Sequence, residues 1–297
     1  GRHALQLGWT PLTTTPVHPV RARFSRISTA LGCAGFSAFV MLLCILGGIH
    51  FKRGVEQEFY RETANIAEIL MVAFEEDTAT ADAILTRLAS DIAPDAVSQT
   101  HETELHRLLA GYTLQPSMIG PAILDRDGTL IASARVDPVP KISLRDRSTY
   151  RVHAETPNKS ELYIGTPMRG PITQEWAIQF SRPLRDRSGA LYGVVLLSYR
   201  LSHFIALYEK LKLSARGVAA LTGRDGVVRI RSLNGEIGYG SAVSKNPLVY
   251  NRVLAEEKLG EFYGLSAIDG VTRIGTFVAS KTTPFYVTVG YDVGYLR

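Results

Sequence analysis

The chain has 297 residues, 45% of them hydrophobic, and a formal net charge of +5, which is enough apolar content for one large domain or two of ordinary size. The charge is concentrated at one end: residues 1–53 hold Arg2, Arg21, Arg23, Arg26, Lys52 and Arg53 and no acid, and the remaining 27 basic and 28 acidic residues leave residues 54–297 at −1. A nearly neutral folded part excludes nucleic acid as a partner, because displacing counterions from phosphates needs Lys and Arg gathered on the folded surface.

Residues 1–29 read as a cytoplasmic tail. Residues 30–51, ALGCAGFSAFVMLLCILGGIHF, carry no formal charge apart from the titratable His50. That length suits a hydrocarbon core, so the segment is predicted to be an uncleaved transmembrane helix in contact with the lipid bilayer. A secretory signal has a shorter apolar region, and so, usually, does a buried core helix. Arg21, Arg23 and Arg26 favour a cytoplasmic N-terminus, which puts everything after about residue 54 outside the membrane. Both cysteines, Cys33 and Cys44, fall inside the apolar run. The soluble part therefore has no thiol for a disulfide, a zinc site or a nucleophile, and packing alone must stabilise it.

Residues 52–114 are predicted to form a stalk helix and a helical connection. Between residues 51 and 94 there is no proline before Pro94 and only Gly54, and apolar residues recur near the helical period at Phe59, Ile66, Ile69, Leu70, Ala73, Ile84, Leu85, Leu88 and Ile92. One long amphipathic helix fits this spacing, as do two ordinary helices broken between Asp77 and Thr80. A short helix follows over residues 101–110. From Met118 the period becomes that of strands. GPAILDRDGTLIAS (residues 120–133) and AALTGRDGVVRIRS (219–232) are each two apolar runs around Arg-Asp-Gly, a hairpin signal because the tight turn needs positive φ. Their recurrence 98 residues apart, each followed by further strand patterns, predicts an α+β chain with two related domains, 115–212 and 213–297, each built on an antiparallel sheet. The later strands are expected at 162–168, 175–184 and 190–199, and at 261–268, 271–280 and 285–293. Helices are expected at 201–213 and 247–257.

The order LRDRSTYRVHAETP (144–157), ELYIGTPMRGPITQEW (161–176) and AIQFSRPLRDRSGALYGVVLLSY (177–199), followed by FIALYEKLKL and LTGRDGVVRIRS, closely resembles the double Cache, or tandem PAS-like, sensor region of bacterial transmembrane diguanylate cyclases and sensor histidine kinases. The resemblance covers roughly residues 50–295. It implies a five- or six-stranded antiparallel sheet in each domain, a small-molecule pocket in the membrane-distal first domain, and a periplasmic location with the anchor in the inner membrane. It also implies a second membrane span and a cytoplasmic effector beyond residue 297. The chain then senses a ligand, plausibly an anionic metabolite, and signals as a homodimer through its stalk; a periplasmic scaffold that binds another protein is the alternative.

Site residues follow from the motif and from strand alternation. Asp146-Arg147-Ser148-Thr149-Tyr150 matches the family's Asp-Arg motif except at Thr149, which stands where the family usually has an aromatic residue. Alternation places Trp176, Ile178, Phe180 and Arg182 on one strand face, where an aromatic ring beside a guanidinium suits a small anion. The expected ligand contacts are Arg147, Tyr150, Trp176 and Arg182; the competing reading makes Trp176 core and Arg182 a salt bridge. No catalytic residue, metal ligand or cofactor is predicted. His101 and His106 are five apart and cannot share a metal from one helix face, and no nucleophile elbow, phosphate loop or dinucleotide fingerprint is present.

Overall fold

The computed structural model describes residues 20–97, 101–112, 114–156, 161–211, 217–233, 236–243 and 248–295. The first helix, α1 (Val20–Asp91), is continuous, so the long-helix expectation holds and no break occurs at Asp77–Thr80. It contains a stretch long and apolar enough to cross a membrane. Within that stretch Phe36, Phe39, Met41, Leu43, Leu46 and Ile49 are all exposed, which leaves an apolar surface with no protein to cover it. The chain divides into two compact units at Glu56 and Gln57, and the remaining architecture belongs to the second.

After α2 (Glu102–Ala110) come β1 (Met118–Asp125), β2 (Leu130–Ser133), α3 (Ser148–Glu155), β3 (Tyr163–Ile164), β4 (Met168–Arg169), β5 (Trp176–Arg185) and β6 (Leu191–Arg200). The second half has α4 (Leu201–Lys210), β7 (Gly217–Gly223), β8 (Val228–Leu233), β9 (Glu236–Gly238), α5 (Tyr250–Leu254), β10 (Leu259–Leu265), β11 (Thr272–Ala279) and β12 (Phe285–Asp292). The strand expected at 162–168 is two short pieces, because Pro167 has no N–H to give a ladder. The helix expected at 247–257 is only α5, and β9 carries no strand signal long enough to have been read.

Two antiparallel sheets result, in the orders β2-β1-β6-β5-β3, with β4 also on β5, and β10-β11-β12-β7-β8-β9. Both have the first hairpin beside the last strand of its own domain. The duplication extends into the turns. Gly128 and Gly226 sit at φ 82° and 76°, the left-handed region the Asp-Gly signal calls for. Leu144 N–H donates to the Gly128 carbonyl and Val243 N–H to that of Gly226. Tyr150 OH donates to the Arg126 carbonyl at 2.5 Å, and Tyr250 OH to that of Arg224 at 3.2 Å.

One face of α1 between residues 66 and 88 joins both sheets in a single core. Ile66, Ala67, Leu70, Met71, Phe74, Ala81, Leu85 and Leu88 are buried with Ile178, Phe180, Leu197 and Tyr199 of the first sheet and Leu221, Ile230, Phe285 and Val287 of the second. Phe74 stands at the junction, its ring edge-on to Tyr199 at 5.8 Å and to Phe285 at 5.4 Å. Polar contacts divide at the same place. Thr63 shares a hydrogen bond with Thr276, Tyr291 OH donates to Glu62, and Ser280 donates to Glu75. Farther along, Ser117 donates to Asp77, Arg182 to Asp82, and Tyr192 OH to the Ile92 carbonyl. The second sheet thus holds the part of α1 nearer the apolar stretch, and the first sheet holds the part beyond.

Truncating Phe74 to Ala is expected to cost about 3–5 kcal/mol, because its pocket is shared by two rigid sheets and can collapse onto neither. Chemical denaturation of the wild-type and variant chains in detergent checks this.

Candidate ligand-binding site

The four residues expected from the sequence are not brought together. Trp176 and Arg182 lie on the face of β5 that meets α1. Arg182 is held by Asp82 through a two-point ion pair of 2.6 and 2.9 Å, and Trp176 is tilted against Tyr239 of the second domain with centroids 3.9 Å apart. These contacts fix the first sheet to α1 and to the second domain. Tyr150 is on the opposite face, buried among Leu124, Leu130, Leu144 and Leu196, and its hydroxyl clasps the hairpin. Arg147 is exposed at the N-cap of α3.

The face away from α1 is built by alternation. Gln179 and Ser181 alternate with Ile178 and Phe180 on β5, and α3 lies over them. Thr149 OH donates to Gln179 Oε1 at 3.3 Å, and His153 Nε2 shares a 2.9 Å hydrogen bond with Ser181 Oγ. Burial is the first cause that lowers the His153 imidazole from 6.5 to about 4, and the nearby Arg185 and Arg182 charges add to it. Beside α3 a cavity of about 50 Å³ opens, lined by Ser133, Arg135, Thr173, Gln179 and Ser198 over a floor of Leu130, Leu144 and Leu196. The loop over it is pinned at both ends, with Gly170 N–H donating to the Glu175 carbonyl and Gln174 N–H to that of Gly170. Gln174 is held there at φ 55°, a left-handed conformation that costs a non-glycine residue free energy and is found at binding sites. The cavity offers an exposed guanidinium, an amide and three hydroxyls around an apolar base. Period-two alternation separates the two faces of β5 without saying which one meets the helix, and the face of Trp176 and Arg182 is the one that meets α1.

A larger space of about 800 Å³ lies where α1 and the two domains meet. Its guanidiniums are already engaged: Arg182 with Asp82, Arg224 with Glu256, and Arg229 with Asp225. Arg229 also donates from Nε to the Gly165 carbonyl at 3.0 Å and lies over the Phe285 ring, so this region acts as a clasp between the domains. His106 Nδ1 lies 2.7 Å from the Ser133 carbonyl, which commits that ring to a backbone contact.

The fold is that of two tandem PAS-like, or double Cache, domains. A family of histidine kinase sensor domains, dCache_1_like, matches residues 202–290. Among solved structures the chain is similar to the extracellular domain assigned to histidine kinase rpHK1S-Z16, with a TM-score of 0.65 and 23% identity over 80% of this chain and 95% of that one. It is also similar to the ligand-binding domain of Mlp24 with asparagine, with a TM-score of 0.56 and 16% identity over 82% of this chain and 96% of that one. The ligand-binding domain of the Pseudomonas fluorescens chemoreceptor CtaA in complex with L-alanine gives a TM-score of 0.54 and 17% identity, over 77% and 94%. No curated protein matches the chain.

Two outcomes are expected. A histidine with a depressed folded-state value stabilises the fold fully above its ordinary 6.5, and that stability is lost as pH falls toward 4. The loss is about 3 kcal/mol at most, and denaturation of His153→Gln should lack it over that window. For the ion pair, Arg182→Ala should cost about 1.5–3 kcal/mol. Adding Asp82→Ala to Arg182→Ala should cost little more, which a double-mutant cycle measures.

Proposed function

We propose that the chain is the extracytoplasmic sensing portion of a membrane-anchored signalling receptor, and that a small carboxylate-bearing molecule binds the first Cache domain on the α3 face. The observation that carries the reading is the placement of the Arg135–Gln179–Ser198 cavity on one face of a sheet whose other face is fastened to α1. A ligand that draws the Gly170–Glu175 loop and α3 onto the cavity strains the sheet, and Phe180, Tyr199 and Arg182 on the reverse face pass the strain to α1. Differential affinity for two arrangements of sheet and helix is all that such a switch requires.

The amino acids in the complexes of CtaA and Mlp24 favour an amino acid or a related organic acid as ligand. Arg135 supplies the cation for its carboxylate, and its guanidinium has no ion pair among the described residues. Tyr150 and Arg147 border the same side of the sheet, Tyr150 as a wall of the Leu130–Leu144–Leu196 floor. The apolar stretch of α1 anchors the chain in an inner membrane, with residues 1–29 cytoplasmic and the domains at 115–212 and 213–297 in the periplasm. Ile69 and Val72 are about half exposed on α1 and suit a homodimer formed along the stalk. The effector that receives the signal is a diguanylate cyclase or a histidine kinase, and this chain itself performs no catalysis.

Thermal-shift screening of the detergent-solubilised chain against amino acids and organic acids tests the reading. A hit is expected whose affinity falls about tenfold or more in Arg135→Ala, the range for one charge-assisted contact. A broad panel without a hit contradicts it, and so does a hit indifferent to Arg135→Ala and Gln179→Ala.

A further inference from the structure

The second sheet carries, on its own face away from α1, an arrangement that ligand binding in the first domain does not use. A cavity of about 90 Å³ is walled by Val218, Ala220, Val228 and Phe262 and reaches Arg231 of β8 and Arg273 of β11. The wall is shaped by a close approach: Phe262 lies over Gly275, where an added Cβ would meet the ring at 2.8 Å and the Val289 carbonyl oxygen even more closely, so only glycine lets that ring settle beside the space.

The charges around the cavity do not balance. Arg273 donates from Nη1 and Nη2 to Asp269 at 2.7 and 2.8 Å, and Arg231 donates to the same carboxylate. Two guanidiniums share one anion, and no acidic side chain lines the cavity among the described residues. Arg273 is only 4% exposed, and its Nε is buried with no hydrogen-bond partner among the described residues. Buried charges are ordinarily paired and buried donors satisfied, so the site is short of one negative charge and one acceptor. Asp269, which closes the β10–β11 connection, holds both guanidiniums in place.

We propose that this cavity is a second ligand site, in which the carboxylate of a short-chain monocarboxylic acid pairs with Arg231 and Arg273 and its alkyl chain rests on Val218, Ala220 and Phe262. A cavity of this measure holds several water-sized spheres, which admits an acid of about two to four carbons and excludes a nucleotide or a peptide. The site belongs to the domain that packs on the part of α1 nearer the apolar stretch, so an acid bound there acts on the helix through the second sheet.

The test titrates the intact chain in detergent micelles with propionate, with propionamide as the uncharged control of the same shape, read by calorimetry and by the thermal unfolding midpoint. Propionate is expected to bind saturably and raise the midpoint while propionamide does neither. Arg231→Gln should weaken propionate about tenfold or more through loss of one charge-assisted contact, and Arg231→Lys should recover part of it. Equal responses to acid and amide overturn the proposal, as does propionate binding undiminished in Arg231→Gln. The acid–amide comparison on the wild-type chain decides the matter even where a variant fails to fold. Propionate binding that disappears in Arg135→Ala belongs to the first domain and also overturns it.

Discussion

Two sheets that share no strand are held together because each buries the same face of one helix. Ile66, Leu70, Phe74, Leu85 and Leu88 of α1 lie in one continuous core with both sheets, and Phe74 touches an aromatic ring from each. Apolar burial of this kind is non-directional and large, so it dominates the energetics. The polar contacts along α1 add direction: Thr63, Glu62 and Glu75 set the register against the second sheet, and Asp77 and Asp82 against the first. Glu75 illustrates how the register is held. Burial acts to raise its carboxyl, but hydrogen bonds from Ser280, Lys281 and Thr282 outweigh it and hold the group below its usual range.

Direct contacts between the domains are fewer and more polar. Trp176 against Tyr239, and Arg229 against the Gly165 carbonyl, join them at the clasp. Asp225 ties this clasp to the hairpin. Burial opposes its ionisation, but hydrogen bonds from Arg229 and the Val227 N–H keep its carboxyl depressed, so Arg229 stays paired where it leaves the sheet to reach the other domain. Because α1 is packed against both sheets, a rearrangement of the first sheet reaches the helix directly, which is the coupling the proposed function uses.

The sequence made the architecture readable where local chemistry decides the outcome. Asp-Gly marked both hairpins because the turn itself needs positive φ, and the recurrence of that signal exposed the duplication. The apolar run at 30–51 and the proline-free stretch beyond it described a helix that indeed continues to Asp91. Contacts between distant segments were less readable. Phe74 is completely buried although no motif marks it, and Ile69, which fits the same period, is exposed; the period defines a stripe, and only packing against two sheets at once defines its edges. The candidate site depended on a similar choice. Trp176 and Arg182 share a face as alternation requires, but that face belongs to α1 and Asp82, and Gln179, Ser198 and Arg135 on the other side carry no motif of their own. The pairing of Tyr150 with the hairpin carbonyl became interpretable through its counterpart Tyr250, which makes the same contact in the second domain.

The most direct measurement is native-state hydrogen exchange across α1 and the two sheets in low denaturant. If one shared core governs the fold, the amides of residues 66–88, β5–β6 and β7–β12 open together, with one free energy and one denaturant dependence. Exchange in which the two sheets open at separate free energies, with α1 following only one of them, contradicts the account.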